Sequence, residues 1–408
     1  MELKSARARR ALTLMGLATV AVTAAGAIYL VRSASHLSPT PTAPPRLQPV
    51  MASFGDADHG AVTMGGSSSP AIYETSNGGR TWTKHQLGAL TMTFLDRDHA
   101  VAWGPGQLET TADSGQTWRS RQAPFSLESS GFLSGAGVSV GPTFLDPMNV
   151  WWLDAGPGPP SLWRSIDGGS TWRQLAGVGV HSGQTLGQPV FIDPLRGAIV
   201  MSALGTDSWP SVLTTQDAGE SWREVSLPES PMAGAHLALP TPLAAILLAH
   251  DGDLVLSLST LPPGVDRSHS VPGPLGDANN RMVSHWSSVS RDGGQTWWPW
   301  AAEPPLNLST LSRKGFDDTG RLLLVDDQRL WISSDDGRTW QGHAIQMPPG
   351  ERIVALFSAR GGALFALAWR PGPESQRQGP SVANSGQLGL LRSRDVGTRW
   401  IDVDLPRS

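Results

Sequence analysis

Acids, arginines, histidines and tyrosines are the residues of this 408-residue chain that could do chemistry. Two carboxylates about 5–10 Å apart would hydrolyse a glycosidic bond. Asp154, Glu224, Asp266, Asp326 and Glu374 stand outside any recurring pattern, and no spacing along the chain pairs two of them. Tyrosine is used only twice, at Tyr29 and Tyr73, and the 10 histidines are scattered without the spacing of metal ligands. Asp56-Ala57-Asp58-His59-Gly60 echoes a calcium loop but lacks the downstream glutamate of an EF-hand. Cysteine is absent, which removes disulfides, thiolate metal sites, cysteine nucleophiles and lipidation of an N-terminal cysteine. No phosphate-binding loop, dinucleotide fingerprint or Gly-x-Ser-x-Gly element occurs. The expectation is a chain with no metal, no cofactor and no catalytic residue.

A further set of acids falls into one short repeat, Ser/Thr-x-Asp-x-Gly-x-Thr-Trp. Its copies begin at Thr75, Thr111, Ser165, Thr215, Ser290, Ser334 and Ser393, the sixth being one residue short. The acid or amide of each copy is Asn77, Asp113, Asp167, Asp217, Asp292, Asp336 or Asp395. The closing aromatic is Trp82, Trp118, Trp172, Trp222, Trp297, Trp340 or Trp400, seven of the 17 tryptophans. An Asx side chain accepts backbone N–H bonds from the residues just after it, and glycine supplies the positive φ of a tight turn. The tryptophan then opens the next strand as a core anchor. These seven acids read as structural rather than as seven active sites.

The elements that carry the boxes repeat with them. Short apolar runs such as Thr93-Phe94-Leu95-Asp96, Ala100-Val101-Ala102-Trp103 and Leu162-Trp163-Arg164-Ser165 precede a box, and a further strand follows it. Successive box tryptophans lie 36 to 75 residues apart. Four strands per unit of that size is the signature of a propeller blade. With 46 glycines and 33 prolines the chain is rich in turns and poor in helix. Residues 48–408 are therefore expected to form one all-β, seven-bladed β-propeller of four-stranded blades. A formal charge of −4 gives no case for nucleic acid.

The N-terminus sets the expected compartment. Residues 1–10 form a basic tail with Lys4, Arg7, Arg9 and Arg10, and residues 11–31 carry no charge. That length suits a bilayer-spanning helix, and the basic flank places the remainder outside the cytoplasm. A single-pass anchor in the cell membrane is the first reading; secretion after signal cleavage near Ser35 is the alternative. Residues 32–47, rich in proline, serine and threonine, read as an extended linker.

The boxes, with the Phe-x-Asp strand end and the Ala-Val-x-Trp-Gly strand before them, resemble the BNR/Asp-box repeat superfamily. The likeness is strongest to photosystem II stability/assembly factor-like proteins, which are non-catalytic members of the sialidase fold, and it covers nearly all of residues 50–404. It implies the propeller fold and partner binding as a mode of action. A sialidase-like member would need a tyrosine nucleophile in a late blade, an arginine triad and an Arg-Ile-Pro element. Here Tyr29 lies in the apolar stretch, Tyr73 enters the first box and Arg-Ile-Pro is missing.

Insertions concentrate on the face opposite the boxes, and long loops in compact domains are uncommon unless used. Residues 203–210, 257–283 and 370–388 supply Trp209, Arg267, Arg281, Arg370 and Arg377 as candidate contacts, residue types enriched in binding hot spots. The sequence thus points to an anchored, extracytoplasmic scaffold whose loop-rich face takes an unknown protein partner or a glycan. A carbohydrate-binding or glycan-hydrolysing exported protein is the alternative.

Overall fold

In a computed structural model the chain forms seven antiparallel sheets, one per box. The structure describes residues 48–406 apart from 66–69, 87–90, 105–106, 125–140, 155–158, 176, 180–183, 204–209, 230–235, 238–244, 251, 262–283, 305–313, 327–328, 348–350 and 372–385. The expected membrane helix and linker lie outside the described residues. Among those described, no helix is long and apolar enough to cross a membrane.

The first blade shows the plan. Gln48–Phe54, Gly60–Gly65, Ala71–Thr75 and Thr83–Lys84 pair antiparallel in sequence order. The inner two strands are nearly all buried, and the outermost is exposed. The same order recurs six more times, ending with Arg352–Ser358, Leu364–Pro371, Gly386–Ser393 and Ile401–Val403. In the fourth and fifth blades the innermost position is shared by two short segments, such as Gln184–Leu186 and Val190–Phe191.

The core is seven seams rather than one centre. Each hydrophobic cluster is shared by two neighbouring blades, and the series runs around the ring until blade seven meets blade one. The closing cluster joins Ala52 and Phe54 to Phe357, Phe365, Leu390 and Val403. Every box tryptophan enters the seam with the preceding blade: Trp118 packs in seam one–two, Trp172 in two–three and Trp82 in seven–one. The box thus folds a turn and also seals a joint. Among the described residues all strands of the first blade come from the N-terminal side and all strands of the seventh from the C-terminal side. Among the described residues the ring is therefore closed by contacts between blades and not by an exchanged strand.

The third box gives the local geometry. Ser165 Oγ donates to Asp167 Oδ1 (2.8 Å) and accepts from Gly169 N (2.8 Å). Thr171 N donates to Asp167 Oδ1 (2.8 Å), and its hydroxyl donates to Oδ2 (2.7 Å). Asn77, Asp113, Asp217, Asp292 and Asp395 each accept from the backbone N–H four residues on, as Asp167 does. The sixth box corrects the sequence reading. Asp335, not Asp336, accepts from Ser333 Oγ (2.8 Å) and Thr339 N (2.9 Å). Ser333 therefore starts a box of full length, and Asp336 is its fourth residue. That fourth position is left-handed in every box; glycine fills it in three, but Ser114, Ala218, Asp336 and Val396 hold it in the others, Val396 at φ 54°.

Candidate binding surface

The box face is built from two kinds of turn. Beside each of the first four boxes lies the hairpin joining the two inner strands, which opens with an aspartate. In the first blade, Asp56 Oδ1 accepts from Asp58 N (2.8 Å) and His59 N (2.7 Å), and the His59 ring lies 3.0 Å away. Burial raises the Asp56 carboxyl, but these donors and the His59 charge outweigh it, so its pKa is lowered. The segment that echoed a calcium loop is this turn. Asp96 with His99, Asp146 with Asn149 and Asp193 with Arg196 repeat it. Among the described residues no group of three or more His, Asp or Glu could hold a metal ion. A bond from the fourth box residue to the hairpin ties the two turns together: Gly78 N to Asp58 O (2.8 Å), Ser114 N to Asp98 O (2.9 Å), Gly168 N to Met148 O (3.0 Å) and Ala218 N to Leu195 O (2.7 Å).

Across this plate of turns, blades three and four break the polar pattern. Met148 is 53 % exposed, Ile166 65 % and Leu195 55 %. At the hairpin position of Met148 and Leu195, the first two blades carry Asp58 and Asp98. At the second box position of Ile166, the other blades carry Ser76, Ala112, Gln216, Arg291, Ser334 and Arg394. Arg164 connects the two blades, donating to Pro194 O (3.3 Å) and lying over the Trp151 ring at 5.2 Å. Burial lowers its pKa, as does the nearby Arg173 charge.

Met148 also borders a cleft of about 380 Å³ between blades two and three. Leu95, His99, Thr110, Arg119 and Arg121 line it with Asp113 and Asp167 of the flanking boxes. Arg119 is exposed; Arg121 is half-buried, and its Nε is enclosed without a hydrogen-bond partner. The Asp113 carboxylate, held by Thr117 and Thr111, has its pKa lowered to about 2. The cleft is therefore mixed in charge, with both box carboxylates committed to their own turns.

Two further polar groups are buried between blades. His85 lies between Glu74 and Glu109, with Nδ1 2.5 Å from Glu74 Oε1 and Nε2 3.1 Å from Glu109 Oε2. In seam five–six, Glu303 accepts from Ser257 Oγ (2.9 Å) and pairs with the buried Lys314. Burial, with the Lys314 charge adding to it, pushes the nearby His285 down to about 3.

Of the candidate contacts on the loop-rich face, Trp209, Arg267, Arg281 and Arg377 lie outside the described residues. Arg370 lies near the end of the second strand of blade seven and pairs with Glu351 (3.2 Å) and Asp402. Among the isolated acids, Asp266 and Glu374 are outside the described residues. Asp154 ends a strand of blade three, Glu224 sits in the outer strand of blade four, and Asp326 accepts from Trp331 Nε1 (2.9 Å) in blade six. The described three are therefore on separate blades. Tyr73 sits in the third strand of blade one, paired with Lys84.

The exposed apolar trio escapes a reading of single motifs, yet aligning the boxes on one another exposes Ile166 as a large aliphatic residue in a column otherwise small or polar. The His85 cluster has no such signal, because it joins residues of two different sheets.

The fold and box geometry define a closed seven-bladed propeller of the Asp-box type. No protein-family model matches the chain, and no curated protein does. Among solved structures it is similar to YCF48 bound to D1 peptide, at 18 % identity over 87 % of this chain and 97 % of that one, TM-score 0.44. It is also similar to YCF48 from Cyanidioschyzon merolae, at 16 % identity over 72 % and 94 %, TM-score 0.31. A third likeness is to oligogalacturonate lyase in complex with manganese, at 10 % identity over 85 % and 89 %, TM-score 0.48.

Proposed function

We propose that this chain is a non-catalytic scaffold that docks a protein partner. The observation that carries the reading is the trio Met148, Ile166 and Leu195, large apolar side chains left exposed on one face of adjacent blades. Clustered exposed apolar side chains rimmed by polar groups mark interaction sites. The cleft beside Met148 gives such a partner a recess to enter. A solved YCF48 is bound to D1 peptide; here the reading rests on the trio alone. The anchor at residues 11–31 and an extracytoplasmic location belong to the same proposal, supported by the uncharged 21-residue stretch behind a basic tail.

Site-specific photo-crosslinking in intact cells tests it. A crosslinker at position 166 or 195 is expected to give discrete protein adducts, and one at position 334, the same box position in blade six, to give none. Ile166→Asp with Leu195→Asp should abolish the adducts formed from position 148. Equal adducts from all three positions, or turnover of a glycan panel by the purified chain, would overturn the reading. A mature N-terminus near residue 36 in secreted material would defeat the anchor.

A further inference from the structure

The seam between blades one and two holds a group for which the scaffold reading has no use. His85 follows the outer strand of blade one, its N–H donating to Ile72 O (2.9 Å). The matching place, opposite the third strand and three residues before the box, is filled by buried Leu175 in blade three, Val225 in blade four and Val403 in blade seven. Blades two and six carry Arg121 and the exposed His343 there, whereas the imidazole of His85 takes the buried place with its side chain 2 % exposed.

Both ring nitrogens face carboxylates, and the carboxylates belong to different sheets. Glu74 stands in the third strand of blade one and Glu109 in the third strand of blade two, itself buried. A neutral imidazole has one donor and one acceptor, so it can satisfy only one of two ionised carboxylates. The doubly protonated ring satisfies both. Glu74 from blade one and Glu109 from blade two are the charged groups that act on the ring, and Trp118 of the second box meets it edge-on at 4.8 Å.

We propose that Glu74, His85 and Glu109 form a proton-dependent clamp between the first two blades, closed while the imidazole holds both protons and loosened when one leaves. The direction of its titration agrees. Burial opposes the imidazolium, yet the hydrogen bonds and charges of both carboxylates outweigh it and raise the His85 pKa. Burial also raises Glu109, and the Glu74 charge adds to that against the pull of His85. Both groups hold protons more tightly in the folded chain than in the unfolded one, so this seam weakens as pH rises. The His85 contribution is complete below about pH 6.5, its unfolded value, and is lost as pH climbs through the raised folded value.

Hydrogen exchange of the full chain, corrected for intrinsic rates and stepped from about pH 6 to pH 9, reads the clamp directly. Protection in Ala71–Thr75 and Gln107–Thr111 is expected to fall relative to Ser211–Thr215 of blade four as the pH rises, the direction that the raised His85 value dictates. His85→Gln and Glu109→Gln should each flatten that dependence. Protection in blades one and two that tracks blade four across the range overturns the clamp, and the wild-type chain alone supplies this result if a variant does not fold. An unchanged slope in folded His85→Gln overturns it equally.

Discussion

The closing seam is where the ring should be easiest to break. Phe54 of blade one stacks on Phe365 of blade seven with centroids 3.5 Å apart and planes 2° from parallel. Phe365 is fully buried, and among the described residues no strand crosses this joint. Polar ties among the described residues are Trp82 Nε1 to Asp404 O (2.6 Å), Leu388 N to Gln48 Oε1 (3.1 Å), Arg392 to Gly78 O (3.1 Å), Arg360 N to Gly55 O (3.3 Å) and Arg394 to Asp58 (3.5 Å). Phe365→Ala removes the stacked ring and leaves a cavity, a change that costs about 3–5 kcal/mol. Against a total stability of about 5–15 kcal/mol, that is at least about a fifth of the fold. Urea denaturation should show the loss as a lower midpoint. Hydrogen exchange should place it, with protection falling first in Gln48–Phe54 and Gly386–Ser393. A loss below about 1 kcal/mol, or an even rise in exchange around the ring, would show that closure does not depend on this stack.

Three further outcomes follow from the boxes. Asp335→Ala should lower the thermal midpoint, by about 1 kcal/mol of stability, more than Asp336→Ala does; the reverse order in paired melts would refute the reassigned sixth box. Val396→Asn should stabilise by up to about 1 kcal/mol, since a β-branched residue at φ 54° is strained and asparagine tolerates that region; an unchanged urea midpoint would show that no strain is released. The lowered carboxyl pKa values of Asp113, Asp167, Asp217 and Asp395 make box stability complete above the ordinary carboxylate range and lost as pH falls through the folded values. The melting temperature is therefore expected to drop below about pH 4, and a flat acid limb would contradict the committed state of these groups.

The box was legible because the turn needs particular atoms: an Asx oxygen for the N–H four residues on, a left-handed glycine and an indole for the seam. The misplaced sixth copy came from two adjacent aspartates, and the Ser333 hydroxyl decides between them by bonding both Asp335 and Gly337 N. Blade order was legible for the same reason as the box. What a linear reading could not supply is contact across seams. Residues 74, 85 and 109 meet only because two sheets face each other, and Glu303 meets Lys314 in the same way. Met148, Ile166 and Leu195 share one face because hairpins and boxes lie on the same side of the disc, a relation visible only once the blades are laid over one another.

The direction of the first strand has a geometric outcome. Gln48–Phe54 lies nearest the axis and runs toward the Asp56 hairpin, which shares its side with the boxes, so residue 48 starts on the opposite side. Ile401–Val403 runs away from its box and also finishes there. The chain ahead of residue 48 therefore meets the disc at its hub, on the side opposite Met148, Ile166 and Leu195.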